Sequence, residues 1–496
     1  MRCLHSASRA EEEVADVTTD AEMSHNSPSA QSFAMTSGTR NNLESLAGTA
    51  TVRDLSGERR VHRHLATQLD YLLTYGLSCA TSLCGMIAFR LAHTNLGDIG
   101  FAEYALMRRV VAFLVPMLSM GMAVAITKKV ARQVAEKRAV DSIETLGVGI
   151  LVSLVGATIL ALGIFLAPRQ VSLLLTGDHG QAHLVRPLVP LVSGSILAIC
   201  AGTYCRGRMW IGASNSLQLL CLGVIPAVVL IWVHDIQTFL WWSGCAVCAV
   251  SGLAVVAVYL NQTSSATWPS WGTAYSLLQL GLPRVPGDLA YYGLFTVPAI
   301  AAAYNGGLQA GGDMAYAIAW LTLAGQLVAP ISALLLPEAS YLLHVGEAAL
   351  LRRRVGKLVR YSLTLTTFLV AMLIYWGPEI ITLHLGVCRS SQLHAVRLLL
   401  IAAIPLNLFL CLRSVIDAGE SSAISPRLCL FAFATFCVAL PSFWRMGLAS
   451  PVVYAFVLAM SVLAVLAMVT TSQVFSKHLG TAGNRHGPTS AAPVGG

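Results

Sequence analysis

The chain has 496 residues, of which 55% are hydrophobic and only 11% are charged. Residues 1–66 hold 16 of the 56 charged residues, which leaves 40 for the following 430, too few to cover the surface of a soluble fold. The composition therefore excludes a soluble protein and indicates a chain embedded in a bilayer. The net charge of +8 fits basic cytoplasmic loops and predicts no nucleic-acid partner.

The N-terminal segment 1–66 is polar and has no periodic apolar residues, which predicts a disordered cytoplasmic tail. Three consecutive acids, Glu11, Glu12 and Glu13, are incompatible with the basic start of a signal peptide. We therefore expect the first membrane span to act as its own insertion signal.

Apolar runs of about 20 residues predict the membrane-spanning helices. Twelve such runs follow the tail, and the eleventh is the shortest and ends at Pro441. The predicted spans are 68–89, 104–127, 145–167, 188–204, 213–233, 237–260, 275–303, 312–336, 359–379, 394–417, 428–441 and 449–471.

The distribution of Lys and Arg predicts the orientation of these spans. With the N-terminus inside, the inner segments hold 18 of these basic residues and the outer loops hold 5. We therefore expect a multi-pass protein of the inner (plasma) membrane with both termini in the cytoplasm.

The spans fall into two groups of six. A polar linker, 261–274, separates a first bundle, 67–260, from a second bundle, 275–475, and a disordered tail, 476–496, follows. A faint repeat supports this division, because Tyr104 precedes Pro116 much as Tyr316 precedes Pro330. The predicted fold class is an all-α integral membrane protein with about twelve transmembrane helices in two six-helix bundles around a central cavity.

Several features of an enzyme are missing from the sequence. It contains no phosphate-binding glycine loop and no convincing metal cluster, and no outer loop exceeds about 20 residues. Most of the twelve cysteines lie within or at the edge of apolar runs, which favours buried small hydrophobic side chains over metal or redox sites. We therefore expect no cofactor, no metal and no catalytic residues.

Charged residues inside the spans are few, and each is costly in lipid, so they are candidates for function. Arg284 and Asp288 lie four residues apart in Gly281–Asp288, where Pro283 and Pro286 should interrupt the helix. The pair is typical of a substrate or ion site. The alternative is a structural salt bridge at a kink.

Two more groups of charged residues are candidates. Arg108 and Arg109 lie in the second span, where at least one of them would contact an anionic substrate and the other could reach the outer headgroups. Arg413 and Asp417 repeat the four-residue spacing near the inner end of the tenth span. Their alternative role is to extend to the nearby headgroups.

Two motifs resemble bacterial polysaccharide flippases of the MOP superfamily, which contains multidrug, oligosaccharidyl-lipid and polysaccharide exporters. The run from Leu96 to Arg109 (LGDIGFAEYALMRR) resembles their first outer loop and second span, and Gly281–Asp288 (GLPRVPGD) resembles their seventh-span motif. The two-half organisation agrees over roughly residues 65–475. The long acidic N-terminal tail departs from the short tail usual in that group.

The resemblance implies a V-shaped pair of bundles that exports a polyprenyl-pyrophosphate-linked oligosaccharide for cell-surface polysaccharide assembly, driven by an ion gradient. The bilayer, the anionic lipid-linked glycan and polysaccharide-assembly proteins would be its partners. Arg108, Arg109 and Arg284 would bind the anionic substrate, since arginine suits bidentate phosphate contacts. Asp288, Asp417 and Arg413 would couple an ion or hold the arginines in place.

Two other functions stay open. A drug or metabolite antiporter of the same superfamily would need unpaired acids for cationic drugs, whereas arginine outnumbers aspartate inside these spans. A membrane glycosyltransferase or polysaccharide polymerase would need acids in a large outer loop, and the longest candidate, 168–187, carries only Asp178.

Overall fold

The computed structural model describes the backbone of residues 40–136, 138, 141–261, 270–326, 335, 338–340, 342–343, 345–419 and 424–485, and side chains between residues 73 and 479 within those ranges. These residues form helices joined by turns, with no strand among them. The chain divides into two units, Met1–Gln68 and Leu69–Gly496, and the second contains all of the described side chains. Parts of the predicted tails and linker, namely 1–39, 262–269 and 486–496, lie outside the described residues.

Nine α-helices are described in the first half of the chain. They are α1 (Arg40–Leu118), α2 (Met122–Ala135), α3 (Ser142–Leu166), α4 (Pro168–Thr176), α5 (Ala182–Val185), α6 (Leu188–Gly207), α7 (Ile211–Leu219), α8 (Ile225–Trp232) and α9 (Ile236–Leu260). A π-helical turn, Leu220–Val224, joins α7 to α8, so that Ile211–Trp232 is one span.

After the linker, the structure gives the bounds of eight helices. They are α10 (Trp271–Gly281), α11 (Val285–Gln326), α12 (Ala348–Tyr375), α13 (Gly377–Leu385), α14 (Ser390–Ile401), α15 (Ala403–Gly419), α16 (Ile424–Arg445) and α17 (Pro451–Arg485).

Among the described residues, eight helices are long and apolar enough to cross a membrane, or nine if the bent pair Leu73–Leu118 and Met122–Ala135 counts as one span. The eight correspond to the predicted spans three to six and nine to twelve. The predicted first, second, seventh and eighth spans lie on two long helices, α1 and α11, and their flanking segments. The chain is therefore a multi-pass α-helical membrane protein, as the sequence predicted.

Each of the two long helices is turned at a glycine. Gly97 in α1 has φ 69° and ψ −171°, and Gly307 in α11 has φ 77° and ψ 176°. An L-residue with a side chain rarely adopts this backbone conformation, whereas glycine does so without a steric penalty. The same turn therefore occurs at corresponding places in the two halves. We call the end of the molecule that carries both turns the Gly97 end.

The helix α1 begins at Arg40, inside the segment predicted to be a disordered tail. No proline occurs between Arg40 and Gly97, so nothing in the sequence stops a helix from extending towards the first span. Residues 40–66 are therefore helical in the structure, within the segment that the sequence predicts to be a disordered tail.

Two predicted span boundaries change for reasons of backbone chemistry. The second span is bent by 50° between Leu118 and Met122, where Met120 has φ 48° and Gly121 has φ 71°. The eleventh span continues through Pro441 to Arg445, because a proline near the end of a helix removes only one hydrogen bond. We call the end of the molecule that carries Gly121 the Gly121 end.

The cysteines are only partly buried. The eleven that the structure describes are unpaired, and Cys79, Cys245 and Cys437 are exposed. The prediction that such cysteines are buried is wrong for these three, which lie on apolar helices whose outer faces would contact lipid. Large apolar side chains such as Phe165 and Trp232 are exposed in the same way.

The seventh span passes from one half of the molecule to the other. Its first part, α10, packs on α2 and α3 of the first half, where Lys129 Nζ donates to Ser276 Oγ at 2.6 Å and Ser270 N donates to Glu144 Oε1 at 3.0 Å. A 3₁₀ turn at Leu282–Arg284 follows, as Pro283 and Pro286 predicted. The next helix, α11, packs on α14 and α16 of the second half. The break that carries Arg284 therefore lies where the chain changes halves.

Backbone contact fixes both sides of this break. A Cβ on Gly121 would lie 2.5 Å from Gly281 O, and a Cβ on Gly287 would lie 2.0 Å from Pro426 Cβ. Such distances are far inside van der Waals contact, so only glycine fits at these two helix crossings.

Gly287→Ala should destabilise the protein by about 1–3 kcal/mol, because the backbones of α11 and α16 must separate to admit the methyl group. Gly163→Ala is the matched control, since a Cβ at Gly163 in α3 meets nothing within 4 Å. Thermal unfolding of the purified proteins in detergent compares them. Equal midpoints for both variants would contradict the close packing of α11 on α16.

Candidate substrate site

Charged side chains from three helices meet near the 3₁₀ turn of the seventh span. Asp288 lies within electrostatic range of Arg413 of α15 and of Arg284. Arg413 forms an ion pair with Asp417, with Nε and Oδ2 3.6 Å apart, and its guanidinium lies over the ring of Tyr291 at 5.7 Å. The two Arg–Asp pairs predicted separately from their spacing therefore belong to one site.

The first half of the chain also contributes to this site. Tyr292 interacts electrostatically with Asp288, with Arg413 and with Arg206, which lies in the last turn of α6. We call this group the central cluster; its members are Arg206, Arg284, Asp288, Tyr292, Arg413 and Asp417. It contains three arginines and two aspartates, so its formal charge is positive.

The predicted salt bridge between Arg284 and Asp288 does not form. Each of the two side chains is half-buried, and among the described residues neither takes part in an ion pair within 4.0 Å. The 3₁₀ turn at Leu282–Arg284 explains this, because it changes the angle between residues that would share one face of a regular α-helix. The guanidinium of Arg284 is therefore not neutralised by the carboxylate four residues later.

Arg108 and Arg109 are directed at different partners. Arg108 Nη1 donates to Gly85 O at 3.2 Å and to Tyr104 Oη at 3.3 Å, and the guanidinium lies over the ring of Phe89 at 5.0 Å. These contacts all lie within the first half, so Arg108 does not reach for headgroups at the membrane surface.

Arg109 joins the two halves. Its Nε donates to Ala315 O at 3.4 Å, and Thr296 Oγ1 donates to its carbonyl oxygen at 3.1 Å. Thr296 is twelve residues after Arg284 on the seventh span, which corresponds to about 18 Å along a helix. The structure therefore divides the predicted substrate-binding arginines into two layers, with Arg284 in the central cluster and Arg108 and Arg109 nearer the Gly97 end.

An ionic contact also joins the halves at the Gly97 end. Arg389, just before α14, forms ion pairs with Asp98 of the first half and with Asp313 of α11, the latter at 4.0 Å. Asp313 is 4% exposed and accepts hydrogen bonds from Ser391 Oγ at 2.8 Å and Gln309 Nε2 at 3.4 Å. We call Asp98, Asp313 and Arg389 the Arg389 latch.

Aromatic side chains continue this contact towards the centre. Phe89 of the first half packs edge-on against Tyr104 at 5.4 Å and against Tyr316 of the second half at 5.5 Å. Tyr316 Oη donates to His384 Nδ1 at 2.8 Å, and His384 Nε2 donates to Met86 O at 2.9 Å. The latch and these aromatic contacts hold the two halves together at the Gly97 end.

A cavity of about 610 Å³ lies elsewhere, beside α8 and α9 and not at the central cluster. Val228, Trp232, Val233, His234, Asp235 and Trp242 are among its lining residues. In the part of the chain that the structure describes, no group of three His, Cys, Asp or Glu side chains could hold a metal ion.

Three residues of these sites were missed in the sequence, each for a reason of context. Arg206 and Arg389 each lie at the end of a helix, where basic residues ordinarily set the orientation of the spans. Asp313 follows Gly311 and Gly312, and its burial against Ser391 depends on a residue 78 positions away. The only local signal was the pair Tyr291–Tyr292 directly after the Gly281–Asp288 motif.

The fold resembles that of known transporters. A multidrug resistance MATE family transporter of the MOP superfamily in an inward-facing conformation matches with a TM-score of 0.67 at 13% identity over 82% of this chain and 95% of its own. An outward-facing structure of the same description gives 0.57 at 12% identity over 82% and 97%. A MOP superfamily transporter from Pyrococcus furiosus Vc1, described as having a binding pocket of reverse polarity that suggests a different function, gives 0.55 at 13% identity over 82% and 96%.

No protein-family model and no curated protein sequence matches the chain. At these low identities the similarity establishes the fold alone, which is the twelve-helix fold of MOP superfamily transporters.

Proposed function

We propose that the protein exports a polyprenyl-pyrophosphate-linked oligosaccharide across the plasma membrane, for assembly of a cell-surface polysaccharide. The observation that carries this proposal is the positive charge of the central cluster, in which Arg284 has no ion-pair partner among the described residues. A pyrophosphate supplies the negative charge that such arginines bind, and it can accept bidentate hydrogen bonds from each guanidinium.

The position of the arginines supports a path across the membrane. In the orientation that Lys and Arg predict, the Gly121 end faces the cytoplasm and the Gly97 end faces outward. A headgroup that enters from the cytoplasm would meet the central cluster first and the layer of Arg108 and Arg109 about 18 Å further on. The lipid tail would stay in the bilayer while the two halves rock about the bound headgroup.

The carboxylates of the cluster supply a means of ion coupling. Asp417 is paired with Arg413, and Asp288 interacts with the same arginine. A pyrophosphate that binds Arg413 would compete with both acids, which would then be free to accept a proton or a sodium ion. Binding of the substrate at Arg413 would thereby be linked to binding of a cation at the two released acids.

The alternative is an antiporter for cationic drugs or metabolites. The resemblance of the fold to MATE transporters is compatible with it, and the two aspartates are its candidate ligands. It requires these acids to be unpaired when the substrate binds, whereas the cluster supplies three arginines around them. A glycosyltransferase or polymerase has less support, since the central cluster lies among membrane helices.

Reconstitution into vesicles tests the proposal. Arg284→Ala should lower the rate at which a fluorescent polyprenyl-pyrophosphate oligosaccharide crosses the bilayer by about 10- to 100-fold, because one charge-assisted contact of about 1.5–3 kcal/mol is lost. Arg352→Ala is the matched control, since Arg352 is an exposed arginine of α12 outside the cluster. Full transport by Arg284→Ala would show that the assignment is wrong.

A further inference from the structure

The cavity beside α8 and α9 lies at the Gly97 end of the molecule. It forms where the chain turns between Trp232, the last residue of α8, and Ile236, the first residue of α9. Asn95 Nδ2 donates to Leu230 O at 2.6 Å, which holds α8 beside the Gly97 turn of α1. The two spans that meet here are each long and apolar enough to cross a membrane. The cavity therefore lies where the hydrocarbon of the bilayer meets water.

The walls of the cavity are mainly apolar and aromatic. Val228, Val229 and Val233 line it together with Trp232 and Trp242. Trp232 is 79% exposed and Val228 is 46% exposed, so this surface would contact lipid, and tryptophan is common at the membrane–water interface. Its volume of about 610 Å³ lies within the range of about 300–1,000 Å³ that is usual for small-molecule sites. The walls therefore suit a ligand whose hydrocarbon part comes from the bilayer.

The polar part of the lining has a single negative charge. Asp235 is the one acid among the described residues that line the cavity, none of these is Lys or Arg, and His234 and Thr238 are its polar neighbours. Thr238 N donates to Asp235 Oδ2 at 2.8 Å, so the carboxylate is fixed as the N-cap of α9. In the described part of the chain, Asp235 has no ion-pair partner within 4.0 Å. Such a carboxylate, in a cavity lined by tryptophans, attracts an ammonium group.

We propose that this cavity binds a phospholipid with an ethanolamine headgroup, with the ammonium on Asp235 and the acyl chains along α8. The hydroxyl of Thr238 and a ring N–H of His234 are donors that suit the phosphate of the same headgroup. An anionic phospholipid would place its phosphate near Asp235 with no ammonium between them, and like charges so placed disfavour binding. Because Asn95 joins α8 to α1, the bound lipid would stabilise the Gly97 turn. The site is separate from the central cluster, so this inference does not depend on the proposed function.

Native mass spectrometry of the delipidated full-length protein in detergent tests this inference. Dioleoyl phosphatidylethanolamine should bind to the wild type at least about tenfold more tightly than dioleoyl phosphatidylglycerol, because one charge-assisted contact distinguishes them. Asp235→Asn should reduce this preference to less than about twofold, since asparagine caps a helix as well as aspartate does but carries no charge. Asp178→Asn is the matched control and should keep the preference, because Asp178 caps a 3₁₀ turn outside the cavity, where it accepts from Gly180 N at 2.8 Å.

Two further measurements separate binding from folding and locate the site. The melting temperatures of Asp235→Asn and Asp178→Asn without lipid should match that of the wild type, because both variants keep their caps. Trp242→Leu should weaken binding of phosphatidylethanolamine about threefold, since a cation–π contact is lost. Trp241→Leu should leave binding unchanged, because Trp241 is exposed but is not among the residues that line the cavity.

Three results would overturn the inference. The first is equal binding of the two phospholipids to the wild type, and the second is an undiminished preference in Asp235→Asn. The third concerns dodecylammonium, which carries the amine and one alkyl chain but no phosphate. If it binds as tightly as phosphatidylethanolamine and displaces it, the cavity is a site for free amphipathic amines and not for a phospholipid.

Discussion

Arg389→Asp is expected to open the Gly97 end and to stop net transport. The variant replaces the arginine that Asp98 and Asp313 share with a third carboxylate, and Asp98 keeps His93 Nε2 at 3.3 Å. Removing the partner of a buried charge costs about 3–5 kcal/mol, and Asp313 is the buried member of the latch. The pair with Asp98 adds less than about 1 kcal/mol, because Asp98 is mostly exposed. A loss of this size lowers the population of the closed Gly97 end by more than about 100-fold.

Hydrogen–deuterium exchange and flipping assays measure this effect. Amides near Asp98 and in residues 309–316 should exchange faster in Arg389→Asp, and flipping should fall to background. Arg445→Asp is the control, because Arg445 is an exposed arginine at the C-terminal end of α16 outside the latch. The double variant with Asp98→Arg restores opposite charges across the two halves and should recover part of both signals. Wild-type exchange and transport in Arg389→Asp would show that the latch does not hold the Gly97 end closed.

The second large effect is a reversal of ligand charge. The double variant Arg284→Ala with Arg413→Ala leaves one arginine and two aspartates in the central cluster. We expect binding of farnesyl pyrophosphate to fall by at least about 100-fold, since two charge-assisted contacts of about 1.5–3 kcal/mol each are lost. The released carboxylates, Asp288 and Asp417, should then bind a lipophilic cation such as tetraphenylphosphonium, which the wild type should reject.

Equilibrium binding of farnesyl pyrophosphate and of tetraphenylphosphonium, each to the wild type and to the double variant, tests this prediction. The control is the double variant Arg352→Ala with Arg353→Ala, which removes two exposed arginines of α12 and should change neither affinity. If the wild type already binds the cation and the double variant does not alter it, the aspartates are the ligands and the antiporter function is favoured.

Hydropathy and charge predicted the number of spans well, because bilayer thickness fixes the length of an apolar run. They did not predict the turns between spans, because the backbone conformation of single residues determines those turns. The turns at Gly97 and Gly307 each need only a single residue with positive φ. A lone glycine within a helical pattern does not by itself predict such a turn. The helix from Arg40 was missed because its sequence is polar and because periodicity, the main signal for a helix, is weak there.

The sequence predicted several residues of the candidate site, but it did not predict which of them contact each other. Spacing identified Arg284 with Asp288 and Arg413 with Asp417, because residues four apart share a face of a regular helix. Arg413, on a helix 125 residues later, also lies within electrostatic range of Asp288. Pairing between helices depends on how α11 and α15 pack, which a single sequence does not reveal.

The sequence does not distinguish the roles of arginines that lie at helix ends. Lys and Arg at helix ends serve orientation in most membrane proteins, so a count of charges treats them alike. Arg206 and Arg208 lie two residues apart, yet one is held by Ser214 and Gln218 and acts on Tyr292, while the other lies over Trp210. Only the packing of α6 on α2 and α7 separates their roles.

The most direct test of the central claim is the ligand preference of the purified wild-type protein. Its affinities for undecaprenyl pyrophosphate, for undecaprenol and for tetraphenylphosphonium are to be measured side by side in detergent. An arginine-dominated site for a lipid-linked pyrophosphate predicts that the pyrophosphate binds at least about 100-fold more tightly than the alcohol and that the cation does not compete with it. Equal binding of the pyrophosphate and the alcohol, or displacement of the pyrophosphate by the cation, would contradict it.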